Sequence, residues 1–162
     1  MDAHARFYKD YKDKLFAYLL RLTRDPNRAS DLLQDSFVRY LERYRNQPPS
    51  APLLYTIARN AFVDGCRKRK PDGEFNEARS PAGDTHNPER RLIAHEEYRR
   101  TLDAMARLSD AERETLSLAA TGDLAYREIA TILETTEANV KVRVHRARMK
   151  LLKQMGKGET DG

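Results

Sequence analysis

Over the first 70 positions apolar residues return every three or four places. Phe7, Tyr11, Leu15, Leu19 and Leu22 fall on one side of a helix over residues 3–22. Asp25 followed by Pro26 supplies a capping carboxylate and then a residue whose missing N–H costs nothing in a first turn. That pair predicts a second helix running to about Tyr44, with Ala29, Leu33, Phe37, Tyr40 and Tyr44 along its stripe. The prolines of Arg45–Pro52 (RNQPPSAP) interrupt the pattern as a loop. A third helix is predicted from about Leu53 to Arg69, with Leu54, Ile57, Ala58 and Ala61 inward, ending in Arg67-Lys68-Arg69-Lys70 before Pro71. Gly65 inside it weakens the helix, and nothing in the sequence explains it.

The pattern then stops. Pro71–Pro88 (PDGEFNEARSPAGDTHNP) offers one large apolar residue, Phe75, too little burial to offset the entropy of ordering. Residues 71–88 are predicted to be a flexible linker. Asn87-Pro88-Glu89 opens the next helix, whose face is Leu92, Tyr98, Leu102 and Met105. Ser109-x-x-Glu112 spells a capping box for a helix that runs through Leu116 to about Thr121 and stops at Gly122. Ala125–Leu133 is a short helix with Tyr126, Ile129, Ala130 and Leu133 inward. A turn, Glu134-Thr135-Thr136, leads into the last helix. No stretch alternates with period two and no repeat is visible. The fold class is therefore all-α: a helical bundle over 1–70 and a helix-turn-helix domain over 89–155, joined by the linker and followed by a disordered tail, 156–162.

Composition narrows the function. No run of about 18 apolar residues is present, so no membrane span is expected. The start, MDAHARFYKDYKDK, lacks the apolar core of a signal peptide, and a cytoplasmic location is the default. Cys66 is the single cysteine, and His4, His86, His95 and His145 are scattered, so neither a disulfide framework nor a metal site is expected. With no nucleophile–base pair and no glycine-rich phosphate loop, no catalytic residue, cofactor or small-molecule substrate is indicated. Residues 1–70 hold 15 Lys/Arg against 8 Asp/Glu, a net +7, which points to a polyanionic partner.

The last helix carries charge in a telling arrangement. Thr136–Lys153 holds six Lys or Arg and one acidic residue. With Thr136 as N-cap and a step of about 100° per residue, Val140, Val144, Ala147 and Leu151 share a narrow core arc. Lys141 and Arg148 flank the arc on one side, Arg143 and Lys150 on the other. Val142, His145, Arg146, Met149 and Lys153 lie opposite. Two short helices, a tight turn and a basic second helix make a DNA-binding helix-turn-helix that reads duplex DNA in the major groove. Val142 can meet a thymine methyl, Arg146 guanine O6/N7, and His145 a base or phosphate. Lys141, Arg143, Arg148 and Lys150 are placed for phosphates. Membrane-surface binding, the other use of a basic amphipathic helix, fits less well because the apolar arc is narrow.

Four stretches together resemble the extracytoplasmic-function (ECF) type of bacterial RNA polymerase sigma factor: ASDLLQDSFVRYLERY (Ala29–Tyr44), LLYTIARNAFVDGCRKRK (Leu53–Lys70), LSDAERETLSLAATGDLAYREIATIL (Leu108–Leu133) and EANVKVRVHRARMKL (Glu137–Leu151). The resemblance implies core polymerase and promoter DNA as partners, both as duplex and as melted non-template strand. An inhibitory anti-sigma protein is a further common partner in that family. It implies that Asp31, Gln34 and Asp35 dock on a coiled coil of the largest polymerase subunit. It places Arg59, Asn60, Arg67, Lys68, Arg69 and Lys70 at the minus-ten element, Asn60 at a base and the cations at phosphates, with the loop Asn46–Pro52 capturing a flipped base. The C-terminal helix is assigned to the minus-thirty-five element. The linker, with Asp72, Glu74, Glu77 and Asp84, is either an RNA mimic inside the polymerase or an inert tether. The chain departs from the family at Leu53 or Leu54, where Trp is usual, at Glu134, where glycine is common, and at Val142, often serine. The competing reading is a stand-alone regulator with an N-terminal dimerisation or signal domain, which has no need of Asp31, Gln34, Asp35 or Asn60.

Overall fold

α1 (Ala3–Thr23), α2 (Pro26–Tyr44) and α3 (Ala51–Lys68) form the N-terminal half. The C-terminal half is α4 (Pro88–Ala106), α5 (Asp110–Ala119), α6 (Tyr126–Ile132) and α7 (Glu137–Glu159). This computed structural model describes residues 2–68 and 88–159, and no strand occurs among them. The expected linker up to Asn87, with Arg69, Lys70 and the acidic residues Asp72, Glu74, Glu77 and Asp84, lies outside the described residues. So do the Leu92 side chain and residues 160–162.

Local chemistry sets the boundaries. The Asp25 carboxylate accepts from the backbone N–H of Asn27 (3.0 Å) and Arg28 (3.3 Å), and Pro26 follows it into α2. Ser109 and Glu112 complete both halves of the capping box, at 3.1 and 3.2 Å. Ala125 has no capping side chain, but its N–H reaches the Glu128 carboxylate at 2.8 Å. Thr136 caps α7 by accepting from Asn139 N–H at 3.1 Å. α7 is longer than expected: residues 156–159, assigned from sequence to a disordered tail, continue the helix.

The turn between α6 and α7 closes on the carbonyls that α6 leaves over. Thr135 N–H bonds the Ala130 carbonyl (2.9 Å) and Glu134 N–H the Thr131 carbonyl (3.3 Å). This paired arrangement needs a left-handed residue between helix and exit, and Glu134 supplies it with φ 54°. The backbone explains why glycine is common there: any side chain at positive φ crowds the following carbonyl. Gly65 also gains a reason. A Cβ on it would stand 2.5 Å from the Arg28 guanidinium, so its bare backbone lets Arg28 of α2 lie on α3.

The core confirms the predicted stripes and extends them. Phe7, Leu15, Leu19, Leu22, Ala29, Leu33, Phe37, Tyr40, Leu54, Ile57, Ala58 and Ala61 are buried, and Tyr11 and Tyr44 are partly so. Tyr98, expected inside, is exposed. Val140, Val144 and Ala147 are buried against α5 and α6, and Leu151 partly. The unexpected members are Tyr18 and Tyr55, both with no exposed surface, meeting edge to face at 5.4 Å where the halves touch. The two halves thus share one continuous core.

Glu112 joins two parts of the second half. Besides capping α5, it receives Lys150 of α7 at 2.8 Å. The hydrogen bond from Lys150 is the main cause that holds its carboxyl below the usual 4.5. The unfolded chain therefore takes up the proton first, and the stabilisation, full at neutral pH, is lost as pH falls below about 4.5. Glu112→Gln keeps the capping geometry but not the charge. It should cost less than about 1 kcal/mol at pH 7, and the gap to the parent chain should close on acidification, as measured by urea unfolding across pH. Glu134→Gly should raise stability by about 1 kcal/mol, seen as a higher urea midpoint with an unchanged slope.

Candidate nucleic-acid interface

α7 buries Val140, Val144 and Ala147, and this fixes what it shows to solvent. Lys141, Val142, His145, Arg146, Arg148 and Lys150 are exposed and Arg143 is half-exposed. Val142 keeps 45% of its surface and Met149 54%, so an apolar strip runs between the cations. Among the described residues Lys141, Arg143, Arg146 and Arg148 meet no carboxylate. Lys150 differs, being held by Glu112. Two exposed residues at the start of the helix extend the strip beyond the sequence assignment. Ala138 and Asn139 share the angular sector of Val142, one turn earlier, and Asn139 donates from Nδ2 to the Thr135 hydroxyl at 3.1 Å. The same stepping that picked out Val142 marks them once the helix start is known.

On α3, Asn60, Arg67 and Lys68 are exposed. Arg59 is not free: its Nε donates to Glu114 of α5 at 3.1 Å, with 22% and 17% of the two side chains exposed. The loop before α3 is braced from inside. Buried Tyr40 accepts the Ser50 N–H on its hydroxyl at 2.9 Å, and the Ser50 hydroxyl accepts Leu53 N–H at 3.4 Å. Leu53, where an aromatic is usual in the resembling family, packs partly buried against the core, and Leu54 is fully buried.

On α2, Asp31, Gln34 and Asp35 lie exposed together, as their spacing predicts. Asp35 pairs with Arg39 at 3.1 Å. Gln34 donates to the Tyr8 hydroxyl at 3.3 Å, which brings α1 into the patch, a contact no helical periodicity could reveal. The structure so presents three separate polar surfaces: an acidic-amide patch on α2, a mixed face on α3 and a basic strip on α7. Among the described residues no group of three His, Cys, Asp or Glu is placed to hold a metal ion, and no helix is long and apolar enough to cross a membrane.

Residues 7–71 match the model of sigma-70 region 2, and residues 98–151 that of sigma-70 region 4. The chain is similar to the ECF RNA polymerase sigma factor SigM of Bacillus subtilis, 32% identical over 159 residues, covering 95% of this chain and 96% of SigM. It is also similar to the RNA polymerase sigma factor YlaC of the same organism, 30% identical with 99% and 96% covered. Among solved structures it shares its fold with the sigma factor RpoE in complex with the anti-sigma factor NepR from Bartonella quintana. That match has a TM-score of 0.71 at 23% identity and covers 94% of this chain and 96% of the other. CnrH in complex with the cytosolic domain of CnrY follows at 0.68 and 20% identity, covering 95% and 88%. The region-2 match falls on α1–α3 and the region-4 match on α4–α7, in that order along the chain, and with the SigM likeness this places the chain in the ECF family of RNA polymerase sigma factors.

Proposed function

We propose that this sigma factor divides promoter recognition between its two halves. Its family consists of initiation factors that direct RNA polymerase to promoters and are not themselves catalysts. α7 reads the minus-thirty-five duplex: Val142, Arg146 and His145 face the bases, while Lys141, Arg143 and Arg148 hold phosphates. Lys150 joins them only by exchanging the Glu112 carboxylate for a phosphate. α3 takes the minus-ten strand, with Asn60 at a base edge and Arg59, Arg67, Lys68, Arg69 and Lys70 along the backbone. The α2 patch of Asp31, Gln34 and Asp35 docks on core polymerase. An anti-sigma protein, as seen with RpoE, is a fitting negative partner for the same surfaces.

One observation carries this reading. Among the described residues Lys141, Arg143, Arg146 and Arg148 of α7 meet no carboxylate and stand around the exposed Val142, while Val140, Val144 and Ala147 of the same helix are buried. A merely solvated helix has no reason to leave Val142 and Met149 between cations. The stand-alone regulator is disfavoured because region 2 matches across the whole N-terminal half.

Run-off transcription with purified core polymerase on genomic templates tests the function directly: the chain should start RNA from a defined set of promoters that core enzyme alone ignores. Arg146→Ala should weaken upstream-element binding by about 1–3 kcal/mol and relax preference at one base pair, read by competition binding on a randomised element. An unchanged preference removes Arg146 from base readout. Asp35→Lys should reduce co-purification with core polymerase at least severalfold while duplex binding by α7 stays the same. Normal co-purification of that variant refutes the docking assignment.

A further inference from the structure

α5, α6 and α7 open with the same spacing, and α7 departs from what the other two put there. Glu112 stands three residues after the Ser109 cap of α5, and Glu128 three residues after Ala125 at the start of α6. Each carboxylate turns back and accepts the backbone N–H of its cap residue, at 3.2 and 2.8 Å. α7 is capped by Thr136, and the matching third position is Asn139. An amide there forgoes the negative charge that the positive end of a helix favours. Asparagine is also a poor helix former. The helix itself therefore gives no reason for Asn139, whose side chain is exposed.

Exposed as it is, the amide is held in a set orientation. Its Nδ2 donates to the Thr135 hydroxyl at 3.1 Å. Thr135 is itself anchored, its N–H bonded to the Ala130 carbonyl at 2.9 Å, and its branched β-carbon restricts rotation. The bond to Thr135 uses one of the two Nδ2 hydrogens, which leaves the other hydrogen and the Oδ1 acceptor for a partner outside the protein. Asn139, Val142 and Arg146 follow one another at i, i+3 and i+7, a single stripe of α7. Asn139 and Val142 lie about 4.5 Å apart along the helix axis, close to the step of about 3.4 Å between base pairs. In a helix-turn-helix the first residues of the second helix are the ones that reach base edges.

We infer that Asn139 determines specificity for an adenine in the upstream element, beside the base pair that Val142 meets, and that Thr135 is its positioning residue. Oδ1 accepts from adenine N6–H while the second Nδ2 hydrogen goes to N7, and the bond to Thr135 stays intact. Guanine in the same place sets its O6 against Oδ1, acceptor against acceptor, and a pyrimidine satisfies only half of the amide. A glutamate, as at Glu112 and Glu128, would face N7 and the phosphates with negative charge, which accounts for the departure from the capping pattern. The inference rests on the assignment of α7 to the upstream duplex.

The test is competition binding of the full chain, assembled with core polymerase, on a randomised minus-thirty-five element, with urea unfolding of each variant beside it. The parent should select adenine at one position other than the base pair governed by Arg146. Asn139→Ala should lower that selectivity about tenfold and leave the Arg146-dependent preference in place. 7-Deazaadenine at that position, which lacks the N7 acceptor, should weaken binding of the parent and make no further difference to Asn139→Ala. Thr135→Val keeps the shape without the hydroxyl and should lower the same adenine preference severalfold. Thr135→Ser should restore it, a recovery that mere support of the turn does not require. If Asn139→Ala lowers the urea midpoint, or the affinity for all sequences alike, with base preference unchanged, Asn139 only stabilises the turn and the inference is overturned. A 7-deazaadenine penalty equal in parent and variant overturns it as well, and full adenine preference in Thr135→Val removes the positioning role. Arg146→Ala separates the two levels: if it still relaxes its own base pair, only the role of Asn139 falls, and if it too changes nothing, the assignment of α7 falls with it.

Discussion

Tyr18 and Tyr55 meet edge to face with no surface exposed, and the architecture hangs on that junction. Each belongs to a helix whose main apolar stripe is already spent on its own bundle. They lie where the second half packs on the first, α5 against α1 and α6 against α3. Tyrosine suits the position because its ring removes a large apolar area from water while its hydroxyl keeps the burial from being fully favourable. The Tyr18 and Tyr55 phenols are pushed well above their ordinary range, chiefly by burial, so neither carries charge at any physiological pH. The joint is consequently strong enough to set how the halves sit and too polar at its centre to make them one inseparable body.

Around that joint the chain leaves its charges in different states of pairing. The α2 patch keeps its carboxylates exposed, with Asp35 leaning on a neighbour four residues along. The α7 strip keeps most of its cations unpaired, and α3 has one cation committed across the seam. These are different electrostatic states of similar side chains. They follow from which helix face each half has already used for packing.

Much of this was written in the sequence. The spacing of Phe7 to Leu22 and Ala29 to Tyr44, the Asp25-Pro26 start and the Ser109/Glu112 box are local signals, and the helices they predict are present within a residue or two. Val140, Val144 and Ala147 against Val142 were separable because a single helix angle decides them. What periodicity could not show depends on partners far along the chain. Tyr18 and Arg59 look like ordinary flanking residues until α5 is placed beside them, 96 residues from Arg21 to Ser117 and 55 from Arg59 to Glu114. The continuation of α7 to Glu159 takes in residues 156–159, which the sequence reading left in the tail. Gly65 had no account in sequence because its reason, the Arg28 side chain, lies on another helix.

The Glu112–Lys150 and Arg59–Glu114 pairs have a thermodynamic consequence. A bare lysine that settles on a nucleic acid liberates condensed cations from the polymer, and that release makes affinity fall steeply as electrolyte is added. A lysine or arginine arriving with a resident carboxylate must strip that carboxylate, which then gathers cations of its own. Part of the liberated ion atmosphere is taken back, so the complex responds to ionic strength less steeply than a census of its basic residues implies.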